Sequence, residues 1–302
     1  MKTSTCKALV CAAMMLLLGA SPTWANPSEA LRGPAGEMPR PCGTPPPGMS
    51  CIPGGWFFRG TEDGPADTQP RERVWLETFY VDKTEVTVEA FRACQKRENR
   101  RERCGYGEPF YPDFSRPKQP MVAVTWYRAV EFCKLHGKHL PTEAEWEKAA
   151  RGPDGELFPW GNAPVDCDRA VIMDSRGRSC GVKMESEWPD KGRTFEVASK
   201  PAGRYGLFDM SGNAWEWVHD WHSKSYAACG ESCRGGNPRG PCGGADRCPG
   251  HSEKVVRGGS WYWPADYATG AYRRPHFPNN RPFHHFGFRC AASLEEGEEL
   301  QR

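Results

Sequence analysis

The eight positions from Asp209 to Glu216, Asp-Met-Ser-Gly-Asn-Ala-Trp-Glu, carry the oxygen pattern that a hard cation prefers. Carboxylates at Asp209 and Glu216, with backbone carbonyls around Gly212 and Ala214, could supply ligands to Ca²⁺ in a structural role. The same text also suits a turn held by the Asp209 and Asn213 side chains, with Trp215 and Trp217 as core. His276, His284 and His285, together with His219 and His222, raise the question of iron or copper. The adjacent pair His284-His285 would point to opposite faces of a strand, a poor chelate, so neither metal is expected. Cys229-x₃-Cys233-x₈-Cys242-x₅-Cys248 has zinc-like spacing, but an exported chain favours two disulfides instead. Cys94 with Cys104, Cys167 with Cys180 and Cys42 with Cys51 are candidate local bridges. No Ser/His/Asp constellation, phosphate loop or nucleotide motif is present.

Three helices would position these groups. Thr87 can cap a helix from Val88 to about Lys96. Thr125 precedes Trp126, Ala129, Val130 and Cys133, one apolar stripe, and Gly137 closes it. Thr142 and Glu145 form a capping box, with Trp146, Ala149 and Ala150 on one face and Gly152 at the end. Strand-like text runs from Ile52 to Phe58, from Val74 to Val81, and in short pieces at Gly206–Asp209, Ala214–Val218, Val255–Trp261 and Phe286–Ala291. A Cys/Gly-rich insertion lies between Cys229 and Cys248.

Residues 1–25 read as a signal peptide: Lys2 and Lys7, an apolar run from Ala8 to Ala20, and Ala25 at the cut. Residues 26–48 are a Pro/Gly-rich linker, or a coil tied down by Cys42. Residues 49–292 form one domain, and 293–302 an acidic tail expected to fray. Of the 302 residues, 33 are Gly and 28 Pro, mean hydropathy is −0.70 and Trp numbers 12, the composition of a loop-rich chain built on aromatic anchors. A formal charge of +2 gives no electrostatic basis for nucleic-acid or membrane binding, and Arg97 to Arg103 read as a solvated face. No apolar stretch of the mature chain reaches the roughly 18 residues of a transmembrane helix. The chain has 14 cysteines, and with Cys6 and Cys11 in the signal segment an even set remains.

Ordered blocks give the chain a family likeness. They are Ile52-Pro-Gly-Gly with Phe79-Tyr-Val-Asp-Lys-Thr-Glu-Val-Thr, then Gly137-Lys-His-Leu-Pro-Thr-Glu-Ala-Glu-Trp-Glu-Lys-Ala-Ala-Arg-Gly with Pro159-Trp-Gly-Asn. Gly206-Leu-Phe-Asp-Met-Ser-Gly-Asn-Ala-Trp-Glu-Trp, Arg257-Gly-Gly-Ser-Trp and Gly287-Phe-Arg-Cys-Ala complete the set. Together they resemble the formylglycine-generating enzyme, or sulfatase-modifying factor, family. The resemblance implies an α+β, C-type-lectin-like single domain, loop-rich and stapled by disulfides. It implies oxidation of a sulfatase cysteine by a copper(I)-binding cysteine pair, whose positions, counted from Ser260, are Trp263 and Ala268 here. Neither can ligate copper. A disulfide of many members would join Ala150 and Arg273, so both of its partners are missing. Another, Cys133 with Cys290, is kept. The resemblance also assigns calcium to the Asp209–Glu216 segment and a second calcium loop near Asp168 to Asp190, where the usual asparagine-containing text is missing. Trp215 and Ser260 match positions lining the family's substrate groove, so Trp215, Ser260, Trp261 and Trp263 are the expected groove residues. The implied protein is an exported, non-catalytic binding or scaffold domain, periplasmic or extracellular. It would present Trp261 to Arg281 to a polypeptide or envelope-protein partner. The alternative is an oxidoreductase of the formylglycine-generating type, or a metal-dependent relative.

Overall fold

A single long hairpin organises the N-terminal half. Strands β1 (Met49–Ile52) and β2 (Gly55–Arg59) run out, and β3 (Glu72–Leu76) and β4 (Phe79–Asp82) return. The sequence suggests two unbroken strands, yet both break at one level. Pro53 has no N–H to give a ladder. At Gly54 a Cβ would meet the Thr78 nitrogen at 2.7 Å, so only glycine admits this approach. The Gly54 N–H is instead satisfied by the Thr78 hydroxyl at 2.9 Å. Beyond the break the hairpin serves two sheets, β1-β4-β9 and β2-β3, where β9 is Ala291–Ser293. A third sheet has the order β7-β6-β5-β8: β5 is Trp215–Trp221, β6 Lys254–Arg257, β7 Arg274–His276 and β8 Phe286–Gly287.

The computed structural model describes residues 31–97, 99, 104–186, 192–280 and 284–302. The expected signal segment lies outside the described residues, as do Arg281 and most of the Arg97–Arg103 face. The described residues belong to one unit, Leu31–Arg302.

Helices follow their capping signals. Thr87 accepts from the Ala90 N–H and starts α1 (Val88–Gln95), and Thr125 starts α2 (Trp126–Leu135). Thr142 and Glu145 close the full capping box of α3 (Glu143–Arg151). Phe91 of α1 stacks on Phe132 of α2 at 5.5 Å, with Phe288 edge-on to both. On α3, Trp146, Ala149 and Ala150 pack against Ile52, Phe57, Val74 and Leu76 of the hairpin. A short helix, α4 (Tyr226–Cys229), opens the Cys/Gly-rich insertion.

Six disulfides staple this frame: Cys42–Cys51, Cys94–Cys104, Cys133–Cys290, Cys167–Cys180, Cys229–Cys233 and Cys242–Cys248. The third joins α2 to the strand region before β9, as the resemblance implies. The insertion's four cysteines pair as nearest neighbours.

Of the two alternatives for the N-terminal segment the ordered coil holds, with Cys42 bridged to Cys51, while the C-terminal tail departs from expectation. Residues 31–48 are an ordered coil, because the indoles of Trp75 and Trp56 donate to the Leu31 and Arg32 carbonyls at 3.0 and 2.7 Å. The acidic tail expected to fray forms α5 (Leu294–Glu299) behind a Ser293/Glu296 capping box, with Leu294 buried. Gly297 lies so close to Tyr80 that a Cβ would fall 2.4 Å from its ring, which lets this helix dock. Among the described residues no helix is long and apolar enough to cross a membrane.

Candidate functional site

The segment after Ser260 is where the resemblance implies the reactive pair. Ala268 is buried, and its carbonyl accepts from the Ser211 hydroxyl at 2.8 Å. Trp263 is partly buried, with its ring 4.9 Å from Tyr267 and the Arg274 guanidinium 4.6 Å above it. Tyr267 continues the row to Tyr272 at 4.8 Å. An aromatic cluster therefore stands where the resemblance would put two thiolates. Among the described residues every cysteine is in a disulfide.

The expected groove needs correction. Trp215, Ser260 and Trp261 are completely buried and line no surface. Trp261 is held between Phe114 and His284, at 5.4 and 5.5 Å, and Trp215 packs beside Tyr272 at 5.9 Å. Trp215, on the inner strand β5, belongs to the cluster that α1 and α2 pack against, and Trp261 fills a smaller one with Phe114, Val122 and Val171. Of the four, only Trp263 reaches solvent.

One of the surface cavities lies alongside. A cleft of about 650 Å³ is bounded by the hairpin tip Gly60–Arg71, by Leu157, and by the segment Asp266–Tyr272. One stripe of α3, Glu143, Glu147 and Arg151, holds all three walls from behind. Glu147 Oε1 accepts from the Gly60 N–H at 2.7 Å, while Arg151 donates to the Gly60 carbonyl at 3.0 Å. Arg151 also donates to the Gly155 and Glu156 carbonyls, at 2.7 and 2.8 Å, fixing the loop that carries Leu157. Arg257 bridges Glu147 to the Gly270 carbonyl at 2.7 and 2.6 Å, and Arg273 binds Glu143. Burial alone would raise the Glu143 carboxyl, but Arg273 and Arg257 outweigh it and hold it at about 2. Burial, with Glu143 close by, pushes Asp220 up to about 7, where it accepts from the Glu143 N–H at 2.8 Å.

The Asp209–Glu216 segment lies deeper. Glu216 receives Arg289 in a two-pronged pair at 2.6 and 2.7 Å, and the Trp146 indole at 2.9 Å. Asp209 accepts from the Ala198 N–H at 2.7 Å. Asn213 accepts from the Phe195 N–H at 2.9 Å, so the two side chains tie this segment to the 195–198 loop rather than closing a turn within it. Gly212 is required here: its φ is +84°, and a Cβ would sit 2.6 Å from the Val171 carbonyl oxygen. A third carboxylate, Glu85, joins from the loop after β4, and its Oε1 is buried with no hydrogen-bond partner. Burial, then Asp209 and Glu216, push the Glu85 carboxyl well above its usual range. Asp209 is raised by burial to about 6, with the Ala198 N–H and Arg289 pulling against it. Three buried carboxyl groups thus face one guanidinium, and burial favours a proton or a cation on those that Arg289 does not pair. Among the described residues no three His, Cys, Asp or Glu side chains form a metal cage by themselves. A cation would therefore depend on backbone carbonyls too, as Gly212 and Ala214 would provide.

His276 and His285 both pack on Phe286, at 4.4 and 4.6 Å, with His284 5.6 Å from His285. Yet among the described residues the histidines form no group able to hold a metal. His284 stacks on Trp261, His219 sits against Trp126, and His222 pairs with Asp67. Glu85 and the Glu143/Glu147/Arg151 stripe were not singled out from the sequence. The i, i+4, i+8 spacing of the stripe was its one visible signal.

Comparison with known proteins adds the following. The pattern of the family described as "Sulfatase-modifying factor enzyme 1-like domain" matches residues 34–294. The formylglycine-generating enzyme of Streptomyces coelicolor is 32% identical over 326 residues, covering 92% of this chain and 99% of that one. The serine/threonine-protein kinase pkn1 of Chlamydia caviae is 32% identical over 269 residues, covering 82% of this chain, which spans only 38% of the kinase's length. The solved structure of PvdO from Pseudomonas aeruginosa superposes with a TM-score of 0.63 at 24% identity, covering 82% of this chain and 94% of that one, a likeness of fold.

Proposed function

Because the chain belongs to the sulfatase-modifying factor family, we propose that it is a non-catalytic binding domain of that family, exported through residues 1–25 and directed at a polypeptide partner in the cell envelope or outside it. One observation supports this reading: no described cysteine is left as a thiol, and the thiolate positions that the resemblance implies, counted from Ser260, fall on Trp263 and Ala268. Soft copper(I) chemistry needs such thiolates. The six disulfides support an oxidising compartment. In the Chlamydia protein, a like segment makes up part of a chain named for kinase activity, which suits a module that recognises rather than reacts.

Calcium fits the reading as a structural ion. Asp209 and Glu216, with the carbonyls of Gly212 and Ala214, would hold it. It would neutralise the carboxylate excess around Arg289.

The test is direct. Denatured protein lacking residues 1–25 should yield no titratable thiol before reduction. It should also consume no oxygen when supplied with copper(I) and a cysteine-containing peptide. Oxygen uptake coupled to loss of the peptide thiol would overturn the proposal.

A further inference from the structure

The cleft beside Tyr272 has an unbalanced charge inventory. Arg151 is paired with Glu147 and donates to three carbonyls, while Arg71 keeps its charge, stacked 3.9 Å above Phe58 and donating to the Asp154 carbonyl at 3.0 Å. Among the described residues one unpaired cation thus opposes three exposed carboxylates, and both cations are tied down. Its carboxylates are not. Glu62, Asp63 and Asp266 are exposed on opposite walls, and among the described residues none has a cation within ion-pair distance. Between them lie apolar surfaces: Leu157, 43% exposed, the buried Ala271, and the half-buried ring of Tyr272.

These walls are fixed in advance. The tip loop is tied to itself, since the Thr61 N–H donates to the Thr68 carbonyl at 3.0 Å and the Gln69 amide to the Gly64 carbonyl at 2.7 Å. Leu157 is tied to the third wall, its carbonyl accepting from the Gly270 N–H at 2.8 Å. Glu147, Arg151 and Arg257 anchor the whole from beneath. A ligand therefore meets a formed cavity and pays little to order it.

We infer that this cleft receives the lysine or arginine side chain of a polypeptide segment, with an apolar neighbour of that residue resting on Leu157 and Tyr272. The inference rests on the reading of the domain as a binding module and names its ligand chemistry. Carboxylates on two walls match an ammonium or guanidinium, and the same carboxylates repel phosphate and acidic peptides. The long aliphatic stem of a basic side chain suits the apolar floor while its head reaches the rim.

The experiment uses the disulfide-bonded protein and N-acetylated, C-amidated octapeptides in which leucine alternates with lysine, glutamine or glutamate. Fluorescence anisotropy of labelled peptides should show the lysine series binding at least about tenfold more tightly than the other two, and weakening as salt is raised. A Glu62→Gln/Asp63→Asn/Asp266→Asn variant, altered only at exposed side chains, should lose about tenfold for the lysine series. Its melting temperature should not change. Leu157→Gln should weaken the lysine series and leave its salt dependence in place. If the glutamine series binds as tightly as the lysine series, or the triple variant binds unchanged, the cationic assignment is overturned while the binding reading stands. If no series binds, the assignment also falls. The binding reading falls with it only if the same preparation consumes oxygen with a thiol peptide.

Discussion

Arg273 grips both carboxylate oxygens of Glu143, its Nε and Nη2 donating at 2.6 and 2.8 Å. The resemblance to related enzymes would place a disulfide between position 273 and Ala150, which lies on the same helix as Glu143. The covalent tie from α3 to this segment is absent, and a buried ion pair makes the connection. A thiol reductant leaves such a link intact, whereas protonation breaks it.

Replacing Glu143 by Gln leaves Arg273 and part of Arg257 unneutralised in the interior. The expected cost is about 3–5 kcal/mol, the range for stranding one member of a buried pair. The Glu143 carboxyl is held at about 2, below its ordinary 4.5, so its contribution is complete above pH 4.5 and is lost as pH falls toward 2. Thermal melts of wild type and variant should therefore converge across that interval. A constant gap would refute the assignment.

His139 should act in the opposite sense. Burial disfavours its charge, but Glu145 and Glu296, at 3.2 and 2.8 Å from its two ring nitrogens, raise it to about 10. The imidazolium joins α3 to α5. Its stabilisation is fully present below the ordinary 6.5 and declines as pH rises through about 10. A His139→Gln variant should melt well below wild type at pH 6 and approach it near pH 10. Proton NMR of the ring would locate the midpoint directly.

Chelation should be felt at the Glu85, Asp209 and Glu216 cluster. If Ca²⁺ binds there, adding it at a hundredfold its dissociation constant stabilises by about 2.7 kcal/mol, and EDTA reverses the gain. Glu85→Gln, which removes the carboxylate with an unpartnered oxygen, should shrink the difference between the two melts. Superimposable melts with calcium and with EDTA would dismiss the site.

The Cys133–Cys290 bridge spans 157 residues. Closing a loop of that length is worth about 5 kcal/mol in the chain-entropy description. A Cys133→Ala/Cys290→Ala variant should lose most of that in urea unfolding. Removing Cys229–Cys233, with a separation of 4, should matter much less.

Much of the frame was legible because its signals are local. Thr87, Thr125 and Thr142 mark helix starts within one turn of the residues they cap, and the cysteines of the short loops pair with their neighbours. The double break in the hairpin was not legible, since it depends on Gly54 meeting Thr78 across the ribbon. Helix α5 was hidden for a related reason. Its acidic text suggests solvent, and its docking depends on Tyr80, more than two hundred residues earlier. At the site, the aromatic count correctly signalled a ring-filled interior but could not tell Trp261, inside, from Trp263, at the surface. Glu143 and Glu147 look like the solvated face of a helix. Their burial is decided by Arg257 and Arg273, which lie 114 and 130 residues from Glu143.

In the hairpin, Ile52 faces Phe79 and Gly55 faces Leu76, so one register runs unbroken from Met49 and Asp82 to Arg59 and Glu72. The alternation of faces in two sheets is thus settled before the chain reaches its tip. Only part of the tip is free to vary: Gly60, Asp67 and Gln69 are tied to the α3 stripe, to Arg273 and to the Tyr226 N–H, whereas the exposed Glu62 and Asp63 can change without moving any strand residue to the wrong side. The strand register and the exposed tip side chains are therefore separable, so the chemistry of one cleft wall can change while both sheets keep their faces.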